Sequence, residues 1–137
     1  MAKYGAWGTN TSIAATYKTL LTLTGAAAAT RRARLYDIIM GSYIAPADQA
    51  CRFLLSRCTS VGTGGATATA SAVDPADAAA TMVATKTQTG EPTYTANADL
   101  FLIPANMRAT QRWVATPGGE IVTPTTGAGT GVGLHAA

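Results

Sequence analysis

An all-β fold is what this sequence predicts: a single-domain β-sandwich, jelly-roll-like, of about eight short strands. Three observations carry that expectation. Short runs rich in Val, Ile, Leu, Thr and aromatic residues recur along the chain, separated by Gly, Pro, Asn and Asp at roughly 8–12-residue spacing. Strands alternating with helical patterns of about 10–15 residues are absent, which argues against a βαβ architecture. A chain of 137 residues also fits one domain better than two.

Taken in order, residues 1–16 are turn-rich, with Gly5, Gly8 and Asn10 interrupting any period. They read as an N-terminal arm ahead of a sandwich domain over residues 17–137, with Trp7 as an anchor on its own domain or on a neighbour. Tyr17–Thr24 (YKTLLTLT) interleaves Thr with Leu and is the first expected strand, ended by Gly25. Ala26–Thr30 is a loop or a helical turn too short to persist alone. Arg31–Met40 (RRARLYDIIM) reads as a second strand in preference to the competing helix, since Gly41 and the aromatic and β-branched content argue against helix. Neither of its parities is cleanly apolar, so burial on both sides is expected around Ile38, Ile39 and Met40. Ala45-Pro46-Ala47-Asp48 makes a turn or a short helix start. Ala50–Cys58 (ACRFLLSRC) alternates well, with Cys51, Phe53 and Leu55 on one face and Arg52, Leu54 and Ser56 on the other.

Val61–Gly65 (VGTGG) reads as a hairpin turn and Ala66–Val73 as a strand with a flat, weakly apolar face. Asp74-Pro75-Ala76-Asp77 opens a turn, Ala78–Ala80 adds a helical turn, and Thr81–Thr87 is the next strand. The clearest strand–turn–strand grammar lies between Ala98 and Pro124. Three strands are expected there, Leu100–Ile103, Thr110–Ala115 and Glu120–Val122, punctuated by Pro104-Ala105-Asn106 and Thr116-Pro117-Gly118-Gly119. Alternation turns Trp113 inward, with Phe101, and Arg112 outward. Thr125–Thr130 is a Gly/Thr loop before a short last strand, Val132–His135.

Composition bounds the function. Apolar residues make up 47% of the chain, but much of that is Ala, and there are only two Phe, two Trp and four Met. A core so thin favours oligomerisation or docking on a larger body. Charged residues are 12%, where about a quarter is usual. The surface is therefore expected to be covered by partners or by Thr, Ser and Gly. A net charge of +3 without a concentrated basic face speaks against nucleic-acid binding. No apolar run approaches the roughly 18 residues of a membrane span, and Met1–Gly5 leads into no apolar signal segment, so folding in a cytosol is expected. Cys51 and Cys58, on one strand, stand about 23 Å apart at roughly 3.3 Å per residue and on opposite faces, which excludes a disulfide between them.

No motif completes a catalytic or metal centre. Gly62-Thr63-Gly64-Gly65 is followed by Ala66-Thr67 where a phosphate loop needs Lys and Ser or Thr. His135, the single histidine, lies near the end of the sequence, where mobility suits a positioned base poorly. With one His in the chain, Cys51 and Cys58 lack the further ligands that a metal centre needs. Asp74 and Asp77 read as turn residues, not as an acid–base pair. Two basic groups stand out: Arg31/Arg32/Arg34, which read either as guanidinium forks for an acidic patch on a partner protein or as a solvated strand entrance, and Arg108/Arg112, of which Arg108 suits stacking or pairing at a subunit interface.

Ala45-Pro46-Ala47-Asp48-Gln49-Ala50, Thr63-Gly64-Gly65-Ala66-Thr67, Asp74-Pro75-Ala76-Asp77, Gly90-Glu91-Pro92-Thr93 and Arg108–Ala115 with Pro117-Gly118-Gly119-Glu120 together resemble small structural proteins encoded beside tailed-bacteriophage head genes. The resemblance covers most of residues 31–135. It implies a capsid decoration or cement protein: a β-sandwich or jelly roll, often trimeric, seated on the major capsid protein lattice, with no catalytic residues and no cofactor. On that basis the chain is expected on the capsid surface of a virion, made in the bacterial host cytoplasm. Its expected partners are the major capsid protein and copies of itself, a trimer being favoured, with no nucleic acid, membrane or small-molecule substrate. Tyr4, Trp7, Arg31, Arg32, Arg34, Arg108 and Arg112 are the interface candidates. Two other readings stand beside it, a head–tail or tail component and a carbohydrate-binding β-sandwich displaying Tyr36, Tyr43 or Tyr94.

Overall fold

A computed structural model describes residues 1–10, 16–25, 31–124 and 129–137. The loop or turn expected over Ala26–Thr30, residues 11–15 of the arm and residues 125–128 of the last loop lie outside the described residues. The fold is an all-β sandwich. Its strands are β1 (Tyr4–Gly5), β2 (Lys18–Gly25), β3 (Arg34–Leu35), β4 (Asp37–Met40), β5 (Ala50–Cys58), β6 (Ala66–Ala68), β7 (Ser71–Ala72), β8 (Met82–Lys86), β9 (Tyr94–Asn106), β10 (Gln111–Val114), β11 (Ile121–Val122) and β12 (Gly131–Ala136). The count exceeds the number expected because β1 forms within the arm and the runs over 31–40 and 66–73 are each divided into two short strands.

The main layer is a six-stranded antiparallel sheet in the order β6-β8-β2-β12-β5-β9. β5 forms over the residues expected and turns the faces expected. Cys51 and Phe53 are buried in the core with Ala136 and Met40, while Leu54 and Ser56 look to the opposite side. The second layer is a two-stranded ribbon. β4 pairs with β10 and β3 with β11, joined by the Ala115 N–H to Tyr36 carbonyl bond of 2.8 Å. Ile38 and Trp113, opposite each other in this ribbon, pack on the core cluster with Phe101, Ile103, Ala105 and Leu134 of the main sheet. Trp113 stacks on Phe101 at 5.3 Å between ring centroids, so the inward assignment of both rings holds. Burying such side chains contributes about 1.5–3 kcal/mol each.

Several connections differ from the sequence reading, all for one reason: neighbours in sequence are not neighbours in the sheet. VGTGG is no hairpin turn, because β5 pairs with β12 and β9 while β6 pairs with β8. It is a crossing connection, tied to a second crossing connection (87–93) by the Thr63 N–H to Gly90 carbonyl bond at 3.0 Å and the Thr93 N–H to Ser60 Oγ bond at 2.8 Å. β9 does not stop at Pro104. It runs through to Asn106, since the outermost strand of a sheet has one backbone edge that needs no N–H donor. β9 and β10 form no hairpin either; the turn at Asn106–Ala109 carries the chain from the main sheet to the ribbon. Nor is β4 buried on both sides. Met40 is buried and Ile38 half-buried, but Ile39 is exposed on the ribbon's outer face. No helix forms at Ala45–Asp48 or Ala78–Ala80, and the Asp74 carboxylate instead accepts the Ala76 N–H at 2.9 Å, which fixes the turn there.

Candidate functional site

The interface candidates divide into three places. Tyr4 sits in β1, paired with β7, and its hydroxyl donates to the Ala78 carbonyl at 2.8 Å. Trp7 follows it, 65% exposed, with the Lys86 ammonium 3.4 Å from its ring centroid. A cation held on one face of the indole orients that ring and leaves the other face to solvent.

Arg31, Arg32, Arg34 and Arg112 all belong to the ribbon or its start. Arg31 is exposed. Arg32 Nε donates to the Thr123 carbonyl at 3.3 Å, and Arg34 lies 3.7 Å from the Glu120 carboxylate. Arg112 makes a fork on Asp37, with Nε and Nη2 donating to its two oxygens at 3.0 and 2.6 Å. That hydrogen bond, with the adjacent charge, holds the Asp37 carboxyl below its ordinary range. Arg108 stands apart, in the turn after β9, with Nε 3.5 Å from the Pro46 carbonyl. Arg32, Arg34, Arg108 and Arg112 thus meet carboxylates and carbonyls of this chain.

The structure also assembles a polar cluster that the sequence reading missed. It lies on the face of the main sheet away from the ribbon, under the 87–93 connection. Thr19 in β2 donates its hydroxyl and its backbone N–H to Glu91 Oε2, the N–H at 3.0 Å. Tyr94 donates to Thr19 Oγ1 at 2.7 Å and stacks on the His135 ring with centroids 4.3 Å apart. Tyr17 closes on the His135 ring from another side at 4.8 Å, and Arg52 lies over Tyr17. Ser56 donates to Asp99 at 2.6 Å and lies 2.9 Å from His135 Nε2. Burial raises the Tyr94 hydroxyl far above its ordinary pKa, lowers that of His135 and pushes the Cys58 thiol up to about 11.

His135 is therefore not on a mobile end. It occupies β12, hydrogen-bonded to β2 on one side and β5 on the other. A serine, a histidine and an aspartate do meet, but their bonds run the wrong way for a nucleophile. Ser56 spends its proton on Asp99, which leaves Nε2–H of His135 to donate to Ser56; in a triad the serine donates to the histidine and the aspartate orients the ring's other nitrogen. Ser56 is moreover 1% exposed. Two surface concavities among the described residues, about 250 and 220 Å³, lie beside Met1, Lys3 and Asp77 and over β6 and β8, away from the cluster. Among the described residues no three His, Cys, Asp or Glu side chains gather to hold a metal ion.

Compared with protein-family models, curated proteins and solved structures, the chain matches none. What the cluster can do is tie the 87–93 connection to the face of the main sheet: six side chains from β2, β5, β9, β12 and that connection bond or stack on one another, with Glu91 Oε1 left without a hydrogen bond among the described residues. In the sequence, Thr19 is one of the threonines interleaved with Leu over Tyr17–Thr24, and nothing local marks it as the partner of Glu91 and Tyr94, which lie 72 and 75 positions away.

Proposed function

We propose that the chain is a virion structural protein that decorates or cements a tailed-phage capsid by bridging subunits of the major capsid protein. The observation that carries this reading is its surface. Twelve large apolar side chains are exposed among the described residues, in a chain with 12% charged residues. Such a surface suits contact with a larger body more than free solution. The motifs that resemble phage head-gene neighbours supply the kind of body. Bridging works by mass action: a domain that binds only the closed shell lowers the free energy of that state and raises the cost of opening it. Trp7, held by Lys86 with its other face free, and Tyr4 are the capsid-facing residues of this reading.

Adding the purified chain to undecorated phage shells, then sedimenting and imaging them, tests it. Regular density on the shell and higher resistance to heat are expected, with Trp7→Ala reducing occupancy. Binding to tails alone would move the assignment to a tail component. Selective glycan binding with none to shells would replace it by a carbohydrate-binding module.

A further inference from the structure

The ribbon's outer face carries a pattern of its own. In the β4–β10 ladder Ile38 stands opposite Trp113, and both face the core, so the neighbouring pairs face outward. Those pairs are Asp37 opposite Val114 and Ile39 opposite Arg112. The four side chains make a square with the charges on one diagonal and the apolar groups on the other. Arg112 and Asp37 are joined across theirs by two hydrogen bonds, while Ile39 is 65% and Val114 56% exposed. Tyr43 and Ile44, just past the end of β4, are exposed as well.

We propose that this face is a two-fold interface between copies of this chain. The square is complementary to itself in one arrangement. A two-fold axis along the Ile39–Val114 diagonal sets Ile39 against Ile39 and Val114 against Val114, and lays each Arg112 over the Asp37 of the second copy. An axis along the strands or across them instead presses each charge on an aliphatic side chain, which strips water from the Arg112–Asp37 pair and gives it no new polar contact in return. A uniformly acidic or basic partner would meet the wrong sign at one of the two charges, whereas a second copy answers both. The inference goes beyond capsid attachment and does not depend on it. It expects a two-fold assembly where the resemblance implies a three-fold one.

Sedimentation equilibrium of the full chain, with no capsid present, tests this. A reversible dimer at twice 13.9 kDa is expected. Ile39→Lys and Val114→Lys should sediment as monomers. Asp37→Arg and Arg112→Asp should each do so through like charges, and the two together should restore the dimer. A second measurement avoids any change of charge. Ile39→Cys puts one thiol from each copy on the axis and should cross-link under mild oxidation, while Thr67→Cys, exposed on β6, should not; the native Cys51 and Cys58 are buried. A monomeric parent chain at about 0.5 mM, far above a micromolar dissociation constant, would overturn the proposal. So would a trimeric mass, or a dimer that Ile39→Lys and the single charge reversals leave intact.

Discussion

His135 shows at the residue scale how burial becomes a response to acid. Removal from water holds its pKa below the ordinary value of about 6.5, although Asp99 and Glu91 pull it the other way. The folded chain therefore resists a proton that the unfolded chain accepts. Stability is full above about pH 6.5 and falls as pH drops from there toward the folded pKa. Thermal unfolding should show a melting temperature that falls between about pH 7.5 and about pH 5. His135→Gln, which keeps a side-chain donor for Ser56, should be flat over that interval. A parent chain as flat as the variant would mean the ring is hydrated. Asp37 does not confuse the reading, since its lowered pKa places its own loss of stability at lower pH.

At the scale of elements, β12 is an inner strand of the main sheet, paired with β2 on one side and β5 on the other. Its glycines are steric requirements. A Cβ on Gly131 would stand 1.9 Å from the Leu23 carbonyl oxygen and 2.8 Å from the Thr24 Cα, both backbone, so the strands would have to part. Gly131→Ala should lower stability in a urea titration by about 2–3 kcal/mol. Gly118, whose Cβ would meet nothing within 4 Å, has only its φ of 85° to defend, and Gly118→Ala should cost about 1 kcal/mol. Equal losses at the two sites would argue against the close approach. Much of the strand content was legible before folding was considered. β5 and β10 lie where alternation puts them, whereas the extent of β9 past Pro104 was not legible, since a proline's tolerance depends on whether its strand is at an edge.

For the molecule as a whole, the contact between ribbon and sheet sets stability. The stack of Trp113 on Phe101 is its largest single aromatic contact among the described residues. Trp113→Ala should cost about 3 kcal/mol by chemical denaturation; a loss under about 1 kcal/mol would mean that the ribbon contributes little to closing the core. A small sandwich with few large side chains has little stability to spare, which fits both proposals above, since each adds buried area. They use separate surfaces, Tyr4 and Trp7 on one and the Ile39–Val114 square on the other.

The all-β class, the faces of β5, the inward Trp113 and outward Arg112, and the two unbridged cysteines followed from the sequence by itself. Each depends on the two-residue alternation of a strand, which is local. Which strands pair, that the ribbon covers one face and crossing connections the other, that Ile39 is exposed, and that Ser56, His135, Tyr94, Thr19 and Glu91 converge were decided only by tertiary structure. Those contacts join residues up to 79 positions apart, as Ser56 and His135 are. No local period encodes them, because a strand's own sequence says which side chains share a face but not what will lie across from it.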